Sequence, residues 1–411
     1  MYHVSVFGAL SRYTEVRLVA PLPWWTRTRR PWEWLSVPRE TSTGIDAAFP
    51  TYWSIPGRHA LHGEAMYRSM RRYVAEVRRE FPFEVILAAW AYPDAVAAAR
   101  LARDFDCPLV TNVLGSDMNY FARQPDLAPM VRQALCQSHK VIAVSRALRD
   151  TVIEFGIPAD QVIVQHNGVD REKFKLQDRR EVRARLGLPE DRAILLYVGN
   201  WVPEKGVDVL VEAIGQLKAR GRTDLLLALV GSGPLEPALR AIVEKHGIGD
   251  QVRFCGRKPH DEVPDWMAAS DLFCLPSLRE GCPNVVLEAL SCGRPVVASR
   301  VGGVPELLDE STGAMAPPGD ADALANVLEV TLNRTWSEAA LRESVVGRSW
   351  DSVGQGYYAA LEGAVGSRQS WKRKRKKRQS AAELRISRLP TADCLLPPQV
   401  ICAPCASTVT A

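Results

Sequence analysis

No stretch of this 411-residue chain approaches the roughly 18–20 consecutive apolar residues that a membrane-spanning helix requires. No signal-peptide pattern opens it either. Its nine cysteines are odd in number and scattered, several of them on expected strands or helices (Cys255, Cys274, Cys292). That excludes a disulfide framework and fits a reducing, cytoplasmic setting. Cys402 and Cys405 form one CxxC without a second pair, which reads as chance. Neither a metal-ligand cluster nor a DxD-type carboxylate pair stands out, so no metal and no other cofactor is expected. Surplus charge is missing from the body as well. The net charge of +5 arises from Lys372–Arg378 (KRKRKKR); without those residues 45 basic side chains face 47 acidic ones. A nearly neutral body excludes a nucleic-acid footprint.

What is present is an ordinary globular composition, 46% hydrophobic and 24% charged, in a chain long enough for two domains. The stretch that organises it runs from Ser270 to Asp309. It reads as a strand (Leu272–Leu275), a loop (Pro276–Gly281), a helix (Pro283–Cys292), a strand (Val296–Ser299), a glycine turn (Gly302, Gly303) and a helix (Val304–Leu308). Pro283 suits the first turn of a helix, where its missing N–H costs nothing. Free amides at that helix start, beside the carboxyl end of a strand, make an anion site. Glu280 precedes the site and Glu288 lies about one and a half turns into the helix. Amides for phosphate and carboxylates for hydroxyls fit a nucleotide sugar. The competing reading is a buried Rossmann-like unit with both glutamates on a solvated face.

The spacing E-G-x-P-x4-E-A, then G-x-P-V-V-A and V-G-G-x-P-E, resembles the signature of the GT-B glycosyltransferases, specifically the retaining family 4 enzymes. The resemblance runs from about residue 16 to residue 365 and is strongest over 193–309. It implies an α/β fold of two Rossmann-like, doubly wound parallel-sheet domains facing a cleft. The expected divisions are 1–175 for the acceptor-side domain, 176–192 for a linker, 193–349 for the nucleotide-sugar domain, 350–366 for a crossover helix and 367–411 for a basic, disordered tail.

In the first domain Tyr2–Arg12 reads as a short helix and Val16–Pro21 as a buried strand. Related chains carry a further strand and a glycine-rich loop ahead of that helix; both are absent here. Pro21–Trp34 (PLPWWTRTRRPWEW) holds four tryptophans and three arginines. It reads as an acceptor-binding or membrane-touching loop, or as a loop whose rings plug the domain surface. Gly63–Glu80 is a covering helix. Strands are expected at Val85–Ala89, Leu109–Asn112, Val141–Val144 and Val162–Gln165, with helices at Asp94–Asp104 and Ser145–Phe155. The tight turn Asn167–Asp170 matches the family's N-G-V-D. Alternating βα units imply a parallel sheet. Ala89 and Leu114 stand where relatives often have histidine, or histidine or arginine. Asp117 could bind an acceptor hydroxyl or cap the segment Met118–Ala122.

Phe174–Arg192 reads as linker plus a short helix. Then come a strand (Ala193–Val198), the loop Gly199–Gly206 and a helix (Val207–Lys218). Lys205 in that loop can meet a diphosphate as a compact charge; in the family the lysine of E-K-G serves the leaving nucleotide. The arginine that usually accompanies it is replaced by Asn200. Leu225–Val230 leads into Gly231-Ser232-Gly233-Pro234, and Val252–Cys255 into Gly256-Arg257, where the resemblance puts the nucleotide base. Val263–Ala269 is a helix, Ala316–Gly319 a loop, Ala321–Leu332 a helix, and Trp350–Val365 the crossover helix. Lys372–Arg378 could attach to an anionic membrane or be a solvated tail without a role.

The resemblance therefore implies retaining transfer from an NDP-sugar to an acceptor hydroxyl, in surface polysaccharide or glycolipid synthesis. Glu280, Lys205 and Asp117 are the expected catalytic residues. Glu288, Gly281, Cys282, Pro283, Asn284, Val285, Gly199, Asn200, Gly231 and Arg257 are the expected donor contacts. The expected partners are a nucleotide sugar, a glycan or lipid-linked acceptor and peripherally an anionic membrane at its inner face, with no nucleic acid. A rival is a catalytically impaired nucleotide-sugar binder or partner subunit, suggested by Ala89, Leu114, Asn200 and the absent first strand. A pyridoxal-phosphate phosphorylase of similar fold lacks a matching lysine segment here.

Overall fold

The structure is a computed structural model and describes residues 2–25, 44–55 and 57–367. Most of the tryptophan–arginine stretch, the basic run Lys372–Arg378 and the pair Cys402/Cys405 lie outside these residues. The chain opens with helix α1 (Tyr2–Leu10). Four two-residue strands follow: β1 (Leu18–Val19), β2 (Leu22–Pro23), β3 (Ala47–Ala48) and β4 (Thr51–Tyr52), paired in parallel as β1–β3 and β2–β4. The buried strand expected over Val16–Pro21 is thus corrected. Only Leu18 and Val19 pair there, both half-buried and outside the main sheet, because their one neighbour offers just two residues.

The first main sheet is β5 (Ile86–Ala88), β6 (Leu109–Val113), β7 (Lys140–Ala143) and β8 (Val162–Val164), parallel and in sequence order. Helices α2 (His62–Glu80), α3 (Val96–Asp104), α4 (Ala128–Gln137) and α5 (Arg146–Glu154) accompany it. Helix α3 starts later than Asp94, since Ala91–Ala95 form a separate wide turn. Ser145 caps α5 by accepting the Leu148 amide.

The second sheet runs in the order β11 (Val252–Gly256), β10 (Leu225–Val230), β9 (Ala193–Val198), β12 (Leu272–Leu275), β13 (Val296–Ser299), β14 (Gly313–Ala316), all parallel. Every residue of β10, β12 and β13 is buried, as strands covered on both faces must be. Helix α6 (Arg179–Leu186) packs against α9 (Val263–Ala269), so the expected linker contributes an element to the second domain. Asp178 caps α6 through the amides of Arg180 and Glu181, and Gly187 ends it at φ 61°. Helices α7 (Val207–Ala219), α8 (Glu236–His246), α10 (Asn284–Ser291) and α11 (Ala321–Leu332) complete this layer. Strand β14 is not among the expected elements and meets the expected loop only at Ala316, and Val304–Glu306 form only a single tight turn.

The helix over 350–367 returns to the first domain. Its Val353, Tyr357, Ala360, Leu361 and Ala364 pack in one cluster with Val6, Phe7 and Leu10 of α1 and with Val110 and Ile142 of the sheet. Strand order reverses between β9 and β12, and in open parallel sheets ligands bind at the carboxyl ends of the strands at such a point.

Candidate active site

The two loops leaving that reversal point are tied together. The loop after β9 ends in a tight turn, Pro203–Lys205, and Leu278 of the loop after β12 donates its amide to the Glu204 carbonyl at 2.9 Å. Gly206 sits at φ 57°, and a Cβ there would lie 2.2 Å from the Pro276 carbonyl oxygen, so only glycine permits this approach. The result is a specific pairing. Lys205 Nζ is 2.6 Å from Glu280 Oε1, and Ser277 Oγ donates to the same oxygen at 2.6 Å. The Glu280 side chain is 9% exposed and that of Lys205 is 32%. Two of the expected catalytic residues, read from the sequence in separate roles, are therefore in contact.

Pro283 is the residue before α10, at φ −77° and ψ 112°, so the helix opens one position later than the sequence suggests. Asn284 and Val285 supply the first helical amides, which lack intrahelical acceptors. Asn167, from the turn that ends the first domain, donates Nδ2 to the Cys282 carbonyl at 3.0 Å and to Asn284 Oδ1 at 2.6 Å. The Cys282 thiol is buried and burial pushes it up to about 11, so it is inert at neutral pH. Glu288 lies farther along α10 with its side chain 13% exposed, and no hydrogen bond of the described residues engages its carboxylate.

Gly199, Asn200 and Gly231 line the ends of β9 and β10: the Gly199 amide donates to the Val230 carbonyl and the Gly231 amide to the Gly256 carbonyl. Asn200 contributes its carbonyl, which accepts the Tyr197 hydroxyl at 2.9 Å, while its side chain stays exposed. Arg257 is exposed in the loop after β11, with no side-chain hydrogen bond or ion pair among the described residues.

Asp117 is placed differently from the acceptor-facing carboxylate the sequence allows. It is fully buried and accepts the amides of Ala91 (3.2 Å), Leu114 (3.1 Å), Gly115 (2.8 Å) and Met118 (3.1 Å). Burial drives its pKa up and those amides oppose the rise. Its role here is to hold the loop after β6 in shape. That loop meets the second domain where Gly281 packs against Leu114 and Gly115. The sequence reading assigns no role to Ser277, Asn167, His260 or Glu306, although Asn167 and Glu306 lie in the N-G-V-D and V-G-G-x-P-E patterns and Ser277 stands three residues before Glu280.

Two family patterns match the chain: Glycosyltransferase Family 4 over residues 12–173 and Glycosyl transferases group 1 over residues 178–344. TuaC of Bacillus subtilis, a glycosyltransferase named for teichuronic acid biosynthesis, is 31% identical over 296 residues, covering 70% of this chain and 72% of the relative. The chain belongs to the group 1, family 4 glycosyltransferases. N-acetyl-alpha-D-glucosaminyl L-malate synthase of Bacillus anthracis is 30% identical over 280 residues, covering 66% of this chain and 72% of that enzyme. Among solved structures, Anabaena Alr3699/HepE, crystallised with UDP, superposes with a TM-score of 0.69 at 20% identity, over 88% of this chain and 96% of that one. This likeness confirms the GT-B fold of two facing domains. With named glycosyltransferases as relatives, the chain is an enzyme of the hexosyltransferase class, and the reading as a non-catalytic binder falls behind.

Proposed function

We propose that this glycosyltransferase moves a sugar from an NDP-sugar to an acceptor hydroxyl with retention at the anomeric carbon. The observation that carries the reading is the Lys205–Glu280 contact of 2.6 Å at the reversal point of the second sheet, beside the start of α10. In this reading the bond from the anomeric carbon to the diphosphate breaks, and a bond from that carbon to the acceptor oxygen forms on the same face. The departing phosphate oxygen takes the acceptor proton. Charge developing on the diphosphate is met by the Lys205 ammonium and by the amides of Asn284 and Val285. Glu280 holds hydroxyls of the donor sugar, Glu288 those of the ribose, and Arg257 lies toward the base. Because a lysine and helix amides meet the leaving group, the step needs no metal, and turnover should survive a chelator.

The acceptor is a glycan or a lipid-linked intermediate, which accords with the name of the Bacillus subtilis relative. Work at the cytoplasmic face of an anionic membrane, through the tryptophan–arginine stretch and the basic run, belongs to the same reading. Co-sedimentation with anionic but not neutral vesicles would support that part. The donor site is tested by thermal shift with UDP, GDP, ADP and their sugar conjugates. Ligand at a hundredfold excess over its Kd stabilises by about 2.7 kcal/mol. A shift with one base that disappears in Glu288→Ala supports the assignment; an unchanged shift in that variant overturns it.

A further inference from the structure

Glu288 has a neighbour whose chemistry is fixed by a residue far away in sequence. His260, in the loop between β11 and α9, places Nε2 3.7 Å from Glu288 Oε1. Its other ring nitrogen, Nδ1, lies 2.6 Å from Lys173 Nζ. A lysine ammonium has three donors and no acceptor, so Nδ1 must supply the lone pair. The imidazole proton therefore sits on Nε2, the nitrogen turned toward Glu288. Asp261 Oδ1 takes a second Lys173 proton at 2.5 Å, which compensates the ammonium charge beside the ring. Phe174 meets the imidazole edge-on, with centroids 5.6 Å apart and planes at 77°, and so restricts its rotation. His260 and Lys173 are both mostly buried, 27% and 24% exposed at the side chain. Lys173 stands just before the segment that joins the two domains, so the end of the first domain reaches into the nucleotide half of the site.

We infer that Lys173 and His260 are positioning residues for the donor nucleotide: Lys173 fixes the Nε2–H tautomer of His260, and that N–H aims Glu288 at the ribose hydroxyls. At 3.7 Å the N–H and the carboxylate face each other without a hydrogen bond. A small turn of the Glu288 side chain closes the gap and leaves its second oxygen to accept from the ligand. The inference rests on Glu288 being the ribose ligand.

Two measurements separate the inference from that premise. Nitrogen-15 spectra of histidine-labelled full-length protein, with His260→Gln to assign the resonance among the seven histidines, report the tautomer directly. The Nε2-protonated form is expected in the wild type, and a mixture in Lys173→Met. A His260 that is protonated on Nδ1 at neutral pH overturns the inference. Dissociation constants are then measured for UDP, GDP and ADP and for their 2′-deoxy and 3′-deoxy counterparts. Each ratio of deoxy to ribo form is taken within one variant, so a lower folded fraction cancels.

The wild type should prefer the ribo form of its nucleotide by about tenfold or more, the scale of a hydrogen bond to a charged group. Glu288→Ala should lose that preference. His260→Phe and Lys173→Met should narrow it to about threefold or less, and His260→Gln, which keeps a donor near the Nε2 position, should restore it. If Glu288→Ala keeps the preference, or none of the three nucleotides binds, the ribose reading itself fails and takes the inference with it. If Glu288→Ala loses the preference while His260→Phe keeps it, the inference alone is wrong.

Discussion

Glu306 and Arg146 stand 160 residues apart, yet Glu306 Oε2 accepts the Arg146 amide at 2.9 Å. Its Oε1 accepts the Ala147 amide at 3.0 Å, and His166 Nε2 lies 2.7 Å from Oε2. Those amides open helix α5 of the first domain, where backbone donors lack partners and negative charge is favoured. Glu306 comes from the turn after β13, so the contact ties the second domain to the first.

The first prediction concerns that tie. Burial alone would raise the Glu306 pKa, but the Arg146 amide, the His166 ring and the Ala147 amide together hold it below its ordinary value. A depressed carboxyl contributes stability that is complete above its unfolded pKa and is lost as pH falls through the folded one. Glu306→Gln should therefore cost about 1.5–3 kcal/mol at neutral pH. It should also flatten the fall of Tm in acid, below the ordinary glutamate value of 4.5. Melting curves with the same acid slope in both proteins would refute the assignment.

Lys205 and Glu280 give the second. Removing the ammonium leaves Glu280, 9% exposed, with Ser277 as its remaining side-chain donor. Lys205→Met should lower kcat by about 10²–10³, as loss of a single donor to developing charge does elsewhere. It should also destabilise the free protein. Adding Glu280→Gln should recover stability, because the uncompensated charge disappears, without recovering turnover. Turnover within about threefold of wild type in Lys205→Met would remove this lysine from the mechanism.

The second domain was the more legible in sequence for a physical reason. Its strands are buried on both faces, so Leu225–Val230 and Leu272–Leu275 stand as unbroken apolar runs, and their observed bounds coincide with the expected ones. Strand β14 (GAMA) carries no such run and has no counterpart in the sequence reading, whose loop begins at its last residue, Ala316. Helices α4 and α8 are missing from the sequence reading although each carries a proline in its first turn and α8 ends on Gly247 at φ 61°. At the site, Lys205 and Glu280 were legible because each sits in a fixed local pattern. Asn167 and Glu306 fall in the quoted N-G-V-D and V-G-G-x-P-E patterns, but their roles, like that of His260, depend on partners more than 85 residues away. For Asp117 the sequence leaves an acceptor ligand and a local cap both open; four amides, from its own loop and from Ala91, consume the carboxylate and favour the structural role.

Asp94 supplies the third prediction. It is half-buried in the wide turn after β5, and no hydrogen bond or ion pair of the described residues engages its side chain. Burial first, and then the nearby charge of Asp117, push its pKa up to about 7. The folded state thus keeps a proton that the unfolded chain releases near the ordinary value of 3.8. Stability must decline as pH rises between those two values. Asp94→Asn stays neutral throughout, so its Tm should be flatter over that window and should exceed that of the wild type above it. Parallel Tm profiles for the two proteins would show that Asp94 titrates normally.

Gly281 carries the fourth, because there the two domains meet beside the proposed chemistry. A Cβ at this position would lie 1.8 Å from the Leu114 carbonyl oxygen and 3.2 Å from the Gly115 Cα. Backbone cannot yield as a flexible side chain can. Its own carbonyl is also engaged, accepting the Gly303 amide at 2.9 Å, so the loop has little freedom to swing aside. Gly281→Ala should therefore hold the domains apart while leaving each core intact. Lys205, Glu280, Asn284 and Glu288 all lie in the second domain, so nucleotide binding should persist within about tenfold. Turnover, which needs donor and acceptor aligned across the cleft, should fall by 10² or more, the scale of an ångström-level misplacement. Small-angle scattering should show a larger radius of gyration than in the wild type. If scattering and turnover are both unchanged, closure does not require this contact; if nucleotide binding is lost as well, the substitution has damaged the donor loop itself.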